Sequence, residues 1–274
     1  GQDQAVAQGP NAHPGGGQGR GGGASWARPL RVANPARRQN GPQTRTVLGV
    51  QIIGTNVSPS ALDACEAFVR LTLANRRDMQ ERMARNNVAL VIIPSDKKMT
   101  DLPQFASLRG TQTFDGRVWD DVRGSGGMQV AGGVWAIAVP EENLIAQENS
   151  TDGYAEGYSV GLHELAHTIH EKAVTNAERR TIKALYDARK AANGPWTDTY
   201  ASANEYEYFS QCTNCYQGAN RGQGLNGPRW LETNDRPMFD FLLSVYGPSQ
   251  AAEDSSNEAH ANLNSPVAIN EATA

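Results

Sequence analysis

Runs of apolar residues along the chain predict a small number of buried strands. Residues 47–53 and 88–93 are short, nearly continuous apolar stretches, and they end at Gly54 and Pro94. Short apolar runs bounded by glycine or proline are typical of strands in a sheet core. Residues 133–139 form a third such run shortly before the helix predicted at residues 158–169, and we expect this strand at a sheet edge, where an extended peptide can pair with it.

Helical periodicity accounts for much of the remaining chain. Ser58 and Pro59 are expected to open a helix because serine caps helix starts and proline favours the first turn. One face of this helix carries Leu62, Cys65, Val69 and Leu73. Further helices are predicted at residues 76–85, 158–169, 176–192 and 239–245. Residues 95–133 are glycine-rich and irregular, with Trp119 and Arg123 as anchors. The order predicts an α+β fold with helices dominating its second half.

Composition divides the chain into a central domain and two tails. The 274 residues are 39% apolar and 20% charged, enough for one sizeable core. Residues 1–44 form a low-complexity basic arm, whereas residues 249–274 are acidic and lack aromatic residues. Both segments are predicted to be disordered, with the folded domain at residues 45–248. The net charge of -4 combines a basic arm with an acidic body, so no nucleic-acid partner is expected.

The cysteines and the hydropathy pattern restrict the class of protein further. Cys212 and Cys215 are spaced Cys-x-x-Cys without the βαβ context of a thioredoxin-like site. They are expected to form either a local disulfide or two buried thiols, and Cys65 a free buried thiol. No apolar stretch reaches the roughly 18 residues of a membrane span, so none is predicted.

His163, Glu164 and His167 form a His-Glu-x-x-His motif within the predicted helix 158–169. Histidines four residues apart on a helix can reach one metal ion, and the glutamate between them can face its open side. This pattern is typical of zinc hydrolases, in which the carboxylate acts as general base. The alternative is a pair of core histidines held by backbone groups. His170, one turn later, is expected to be a supporting or surface histidine.

A third metal ligand is expected downstream, because catalytic zinc sites generally use three protein ligands. Residues 200–211 contain Glu205 and Glu207. Ser202 and Glu205 have the spacing of a capping box, which would occupy Glu205 and leave Glu207 among aromatic residues for the metal. The alternative is that Glu207 is a helix-surface glutamate.

These motifs together resemble the glutamate-third-ligand zincins, or gluzincins, related to anthrax lethal factor and the Pro-Pro endopeptidases. The resemblance implies a zincin-like fold, in which a small mixed sheet packs on the active-site helix. It also implies one Zn²⁺ held by His163, His167 and Glu207, with Glu164 as general base. Tyr200, seven residues before Glu207, would stabilise the oxyanion. A core position before the helix is the other interpretation of this tyrosine.

A wider resemblance, over residues 46–248, is to uncharacterised secreted metallopeptidase-like proteins. One departure is Ser210-Gln211, where that family often has Ala-Glu. The segments that carry this resemblance are Trp119-Asp120, Arg123-Gly124 with Gly126-Gly127, Glu141-Glu142-Asn143-Leu144, and Trp196 with Thr199-Tyr200-Ala201.

The function expected from these features is that of a secreted zinc metallopeptidase. Its expected substrates are peptides or proteins, which it would hydrolyse as an endopeptidase. Two alternatives stay open at this level. One is a catalytically inactive zincin-fold protein that binds a peptide or a cell-surface partner. The other is a structural protein in which a metal only stabilises the fold.

Overall fold

A five-stranded mixed sheet forms the centre of the protein in a computed structural model, which describes residues 40–113, 116–145, 158–219 and 227–249. The strand order is β1-β2-β3-β5-β4. The three inner strands run parallel, and the two outer strands, β1 and β4, pair with them antiparallel. The strands are β1 (Pro42–Val47), β2 (Val50–Thr55), β3 (Val88–Ile93), β4 (Ser125–Val130) and β5 (Val134–Pro140).

Helices cover one face of the sheet and build the second half of the described chain, as the sequence predicted. Between Ile169 and Ala173 a π-helical turn extends α4. The helices are α1 (Pro59–Leu73), α2 (Arg77–Arg85), α3 (Glu141–Leu144), α4 (Val160–Thr168), α5 (Asn176–Ala191), α6 (Glu205–Tyr216), α7 (Pro228–Asn234) and α8 (Arg236–Tyr246). The mixed α+β class is therefore confirmed.

The first predicted strand is wrong in its limits, because residues 47–53 span a hairpin turn. Leu48 and Gly49 both have positive φ, 46° and 86°, and Val47 pairs with Val50 across them. A two-residue turn with positive φ at both positions matches the twist of a hairpin. Strand β1 begins at Pro42, inside the segment predicted as the basic arm. The remainder of that arm, residues 1–39, and residues 250–274 of the predicted acidic tail lie outside the described residues.

The edge strand beside α4 is β4, not β5. The run at residues 133–139 does form a strand, but β5 lies between β3 and β4 and is an inner strand. β4 occupies part of the stretch predicted to be irregular. Its glycines allow the strand to lie close to α4: a Cβ on Gly126 would be 3.2 Å from the His167 Cβ, and one on Gly127 would be 2.7 Å from the Thr168 Oγ1. Low strand propensity here is overridden by close packing.

Two apolar cores sandwich the sheet. The larger lies between the sheet and the helices, and the smaller is covered by residues 99–122 on the opposite face. Trp119 is buried in the smaller core. Arg123 forms a two-pronged ion pair with the buried Glu142, at 2.7 Å and 2.6 Å. Both residues therefore anchor this segment, as predicted.

The cysteine side chains are buried and unoxidised. Cys65, Cys212 and Cys215 are all free thiols, so the disulfide alternative for the Cys-x-x-Cys pair is wrong. Burial raises the pKa of each thiol above its usual value. They are packing residues rather than nucleophiles. Within the described residues, no helix has the length and apolar character needed to cross a bilayer.

Candidate metal centre

Helix α4 is held in place by polar contacts at its N-terminus. The Ser159 Oγ accepts from the Leu162 N–H at 3.1 Å and caps the helix. Asn143 of α3 is hydrogen-bonded to the start of α4. Its Oδ1 accepts from the Val160 N–H at 3.0 Å, and its Nδ2 donates to the Tyr158 carbonyl at 3.1 Å. Every residue of α4 is buried. A helix buried and capped in this way holds its side chains in fixed directions.

The two histidines of the motif meet at their Nε2 atoms. The Nε2 of His163 lies 3.0 Å from the Nε2 of His167, and the two ring planes are 85° apart. Both side chains are buried. Their i, i+4 spacing on α4 therefore brings two ring nitrogens to one point, as the sequence predicted.

Helix α6 brings Glu207 to the same point. The Asn204 Oδ1 caps α6 by accepting from the backbone N–H groups of Tyr206 and Glu207, at 2.9 Å and 3.0 Å. The predicted capping box is wrong, because Ser202 lies in a separate 3₁₀ turn and Glu205 is the first helical residue. The reasoning that excluded Glu205 thus fails, although Glu207 is the residue that reaches the histidines.

The Glu207 carboxylate contacts both histidine rings. Its Oε2 lies 3.2 Å from the His163 Nε2 and its Oε1 lies 3.4 Å from the His167 Nε2. A tetrahedral zinc ion with bonds of roughly 2.0–2.1 Å separates its ligand atoms by about 3.3 Å. The three separations of 3.0–3.4 Å are close to that value. Two neutral imidazoles and one carboxylate are also a common zinc donor set, so these residues fit a zinc ion.

The electrostatics of the three side chains are coupled. Burial alone would raise the pKa of Glu207, but the charge and hydrogen bonds of the two histidines lower it to about 2. Burial lowers the pKa of His163. For His167, the effect of burial is outweighed by the nearby carboxylates, and its pKa is raised. In the absence of a metal, Glu207 is therefore ionised, and His167 is the histidine that retains a proton more readily.

Glu164 faces the glycine-rich edge strand. Burial is the main reason that its pKa is raised to about 8, with opposing effects from His167 and Arg117. A Cβ on Gly124 or Gly126 would lie 3.3 Å from its Oε1 or 3.5 Å from its Oε2. One carboxylate oxygen of Glu164 lies within 4.8 Å of a ring nitrogen of His163 and of a ring nitrogen of His167. A carboxyl group that exchanges its proton near neutral pH is suited to acid–base chemistry.

Tyr200 lies at the rim of the site. Its ring stacks beside that of His163, with 6.1 Å between centroids and 28° between planes. The Asp198 Oδ1 fixes the turn that carries it by accepting from the Tyr200 and Ala201 N–H groups. The side chain is partly exposed, so it is not a core tyrosine.

His170 is buried away from the three converging side chains. It is 3% exposed and packs against the rings of Tyr206 and Phe209, with centroids 4.7 Å and 5.3 Å away. Its predicted alternative as a surface histidine is wrong. The π-helical turn after α4 and the aromatic side of α6 place it inside the core.

Sequence reasoning missed several residues around the site. The centroid of the Tyr158 ring lies 6.1 Å from that of the His163 ring. The positive charge of Arg117 lowers the pKa of Glu164, against the larger effect of burial. A small crevice of about 10 Å³, enough for one water molecule, lies beside His167 and is lined by Glu171 and Tyr206 together with Gly126 and Gly127. Tyr158, Arg117, Glu171 and Tyr206 belong to no motif whose spacing signals a site, whereas Gly126 and Gly127 belong to a segment that carries the family resemblance. Tertiary folding alone brings the first four residues close to His163, His167 and Glu164.

Comparison with known proteins supports the fold. No family model matches the sequence, and none of the curated proteins compared with it matches either. Among solved structures, the chain is similar to the Pro-Pro endopeptidase PPEP-2 from Paenibacillus alvei, with a TM-score of 0.51 and 16% sequence identity. The match covers 73% of this chain and 100% of that structure. The described domain thus has a fold like that of a known peptidase.

Proposed function

We propose that this protein is a zinc-dependent peptide hydrolase. The observation that carries the proposal is the convergence of three buried side chains: the Nε2 atoms of His163 and His167 lie 3.0 Å apart, and the two carboxylate oxygens of Glu207 lie 3.2 Å and 3.4 Å from them. The peptidase-like fold supports the same reaction class. In this proposal the three residues hold one Zn²⁺.

The reaction follows from the positions of the surrounding side chains. A zinc ion bound here would supply Lewis acidity, lowering the pKa of a water molecule and polarising the carbonyl of the scissile bond. Glu164 accepts the proton of the attacking water and passes it to the leaving nitrogen. The Tyr200 hydroxyl donates a hydrogen bond to the oxygen on which negative charge develops.

Strand β4 provides a binding edge for an extended substrate. Its outer side is unpaired within the described sheet, since β4 ends the strand order. Gly124 and Gly126 lie directly against Glu164 and His167, so a peptide paired with this strand passes the metal-binding residues. Main-chain hydrogen bonds to an edge strand recognise peptides without strong dependence on sequence. A peptide or protein is therefore the proposed substrate, and a secreted location remains a prediction of the sequence resemblance.

The proposal is tested by cleavage of a peptide library with and without a chelator. We expect Glu164→Gln to lower cleavage by about 10²- to 10⁴-fold while zinc stays bound. Glu205→Gln is the matched control, because Glu205 lies on the same helix as Glu207 and is not one of the converging residues; it should cleave like the wild type.

The inactive alternative predicts a different result. Zinc that is bound stoichiometrically by a wild-type protein with no cleavage of any library peptide would support a binding protein with a zincin fold. Unchanged cleavage in Glu164→Gln with zinc bound would disprove the proposed role of that carboxylate. Absence of zinc from the purified wild type after metal reconstitution would disprove the metal centre itself.

A further inference from the structure

The π-helical turn Ile169–Ala173 lies directly after the helix that carries the two motif histidines. The Val174 N–H donates to the Ile169 carbonyl at 3.0 Å, which is the five-residue spacing of a π turn. Such a turn contains one residue more than an α-helical turn, so it rotates the residues that follow by up to about 100°, the angle between successive α-helical residues. Because π turns are rare, contacts from outside the helix are expected to stabilise this one.

Arg179 of α5 is hydrogen-bonded to three backbone carbonyls of this turn and of the residue that follows it. Its Nε donates to the His170 carbonyl at 3.0 Å. Its Nη2 donates to the carbonyls of Glu171 and Val174, at 2.8 Å and 3.3 Å. The last carbonyls of a helix have no partner within that helix, so one guanidinium group supplies the donors for three of them.

The first turn of α5 holds that guanidinium group in place. Thr175 and Glu178 form a capping box, in which the Thr175 Oγ1 accepts from the Glu178 N–H at 3.2 Å and the Glu178 Oε2 accepts from the Thr175 N–H at 2.6 Å. The other oxygen of Glu178 accepts from the Nη1 of Arg76, the N-cap residue of α2, at 2.8 Å. Arg82 of α2 donates to the Ala173 carbonyl. Arginines from two helices therefore hold the π turn from outside.

Three successive side chains of the turn are directed to three different places. His170 packs against the aromatic residues of α6. Glu171 lines the crevice beside His167. The Lys172 Nζ lies 3.6 Å from the centroid of the Trp135 ring on β5. An α-helical turn would rotate these side chains about the helix axis, so the π form determines that an acidic side chain lies beside His167.

We infer that Arg179 is a positioning residue for the metal centre. Its three hydrogen bonds to backbone carbonyls keep Ile169–Ala173 in the π form, and the π form places the Glu171 carboxylate beside His167. The negative charge of that carboxylate favours a cation held by His167. This inference rests on the proposed zinc site for its effect on metal binding, whereas the shape of the turn exists without metal.

The first measurement uses the full chain without metal. The indole ¹H–¹⁵N signal of Trp135, assigned with Trp135→Phe, reports on the Lys172 ammonium group over its ring. We expect this signal to shift in Arg179→Met, which removes the guanidinium group and keeps an apolar stem. Arg180→Met is the matched control, because Arg180 is the next residue of α5 and is exposed. Its signal should stay at the wild-type position.

The second measurement is zinc affinity, determined by competition with a fluorescent chelator. We expect Arg179→Met to bind zinc about 10-fold more weakly and Arg180→Met to bind it like the wild type. Removal of a positive charge by itself would favour a bound cation, so weaker binding separates the positioning role from a simple charge effect. Arg179→Lys replaces the planar guanidinium with one ammonium group, and it should show a smaller shift of the indole signal and a smaller loss of affinity.

The two proposals fail in distinguishable ways. If the wild type binds no zinc, the proposed function fails, and the Trp135 signal alone decides whether Arg179 holds the turn. If the wild type binds zinc, an unchanged indole signal or an unchanged zinc affinity in Arg179→Met overturns the inference and leaves the metal centre standing. A variant that is only less stable, with both readouts as in the wild type, assigns Arg179 a purely structural role. Should Arg179→Met not fold, the same outcomes are read from Arg179→Lys.

Discussion

Tyr200 lies beside His163 and is the residue proposed to stabilise the developing oxyanion. Its ring flanks His163 and is partly exposed, so its hydroxyl can meet a substrate rather than the core. We expect Tyr200→Phe to lower kcat by about 10- to 10³-fold with little change in KM, because the hydrogen bond forms as charge develops. Zinc content should not change.

Steady-state kinetics on the best library peptide provide the measurement. Tyr158→Phe is an informative comparison, because Tyr158 is equally near His163, with centroids 6.1 Å apart, but is buried. A larger decrease in kcat for Tyr158→Phe than for Tyr200→Phe would show that Tyr200 is not the hydrogen-bond donor.

The proton on His167 links zinc binding to pH. The neighbouring carboxylates raise the pKa of His167 in the metal-free protein despite burial. A zinc ion competes with that proton, so the apparent affinity should be greatest above this raised pKa and should fall as the pH drops through it. Chelator competition at a series of pH values measures the effect, with up to one proton released per zinc below the raised pKa of His167 and none well above it. A pH-independent affinity over this series would contradict the assignment.

Strand β4 and helix α4 depend on one another at the element scale. A Cβ on Gly127 would lie 2.7 Å from the Thr168 Oγ1 of α4, and it would also lie 1.8 Å from the Trp135 Nε1 of the neighbouring strand β5. We therefore expect Gly127→Ala to lower the free energy of unfolding by roughly 1–3 kcal/mol, as overpacking does in well-packed cores. Chemical denaturation measures this loss.

Gly110→Ala is a suitable control for that substitution. Gly110 has φ of +70° and no atom near its added Cβ, so alanine there brings backbone strain without a clash. Its expected cost is about 1 kcal/mol. If both variants lost the same stability and both kept wild-type zinc affinity, close packing of β4 on α4 would not be what positions the site.

Helices α4 and α6 are joined by the proposed metal at the scale of the whole molecule. The ligands come from both helices, so a bound zinc ion stabilises the folded state and not the unfolded chain. At a free zinc concentration 1,000 times Kd, the gain is about 4.1 kcal/mol. We expect chelation to lower Tm by several degrees, and His167→Ala to have a low Tm that no longer responds to the chelator. Equal Tm values for the wild type with and without chelator would exclude a metal that bridges the two helices.

Local spacing was sufficient to predict part of this arrangement. The histidines of α4 converge because four residues make about one helical turn, and helix α1 begins where its serine and proline indicate. Strand β3 and helix α5 also appear where their apolar patterns predict them. In each case the determining interaction lies within one element, so the sequence contains it directly.

Contacts between elements that are distant in the sequence could not be predicted from local spacing. The glycine-rich edge strand has no strand-forming pattern of its own, and it is held by pairing with β5 and by close packing on α4. Glu207 was predicted both from a capping argument, which the N-cap Asn204 shows to be wrong, and from the resemblance to the gluzincins. Its approach to the histidines is decided by the packing of α6 on α4.

The sequence by itself therefore determined the helix, the three residues of the motif and the class of chemistry that they indicate. Tertiary structure alone decided how the Glu207 carboxylate reaches both histidines and that β4 is the edge strand beside them. The physical reason is the range of the interactions: hydrogen bonds within a helix depend on neighbouring residues, whereas a metal site and its supporting contacts depend on which buried surfaces pack together.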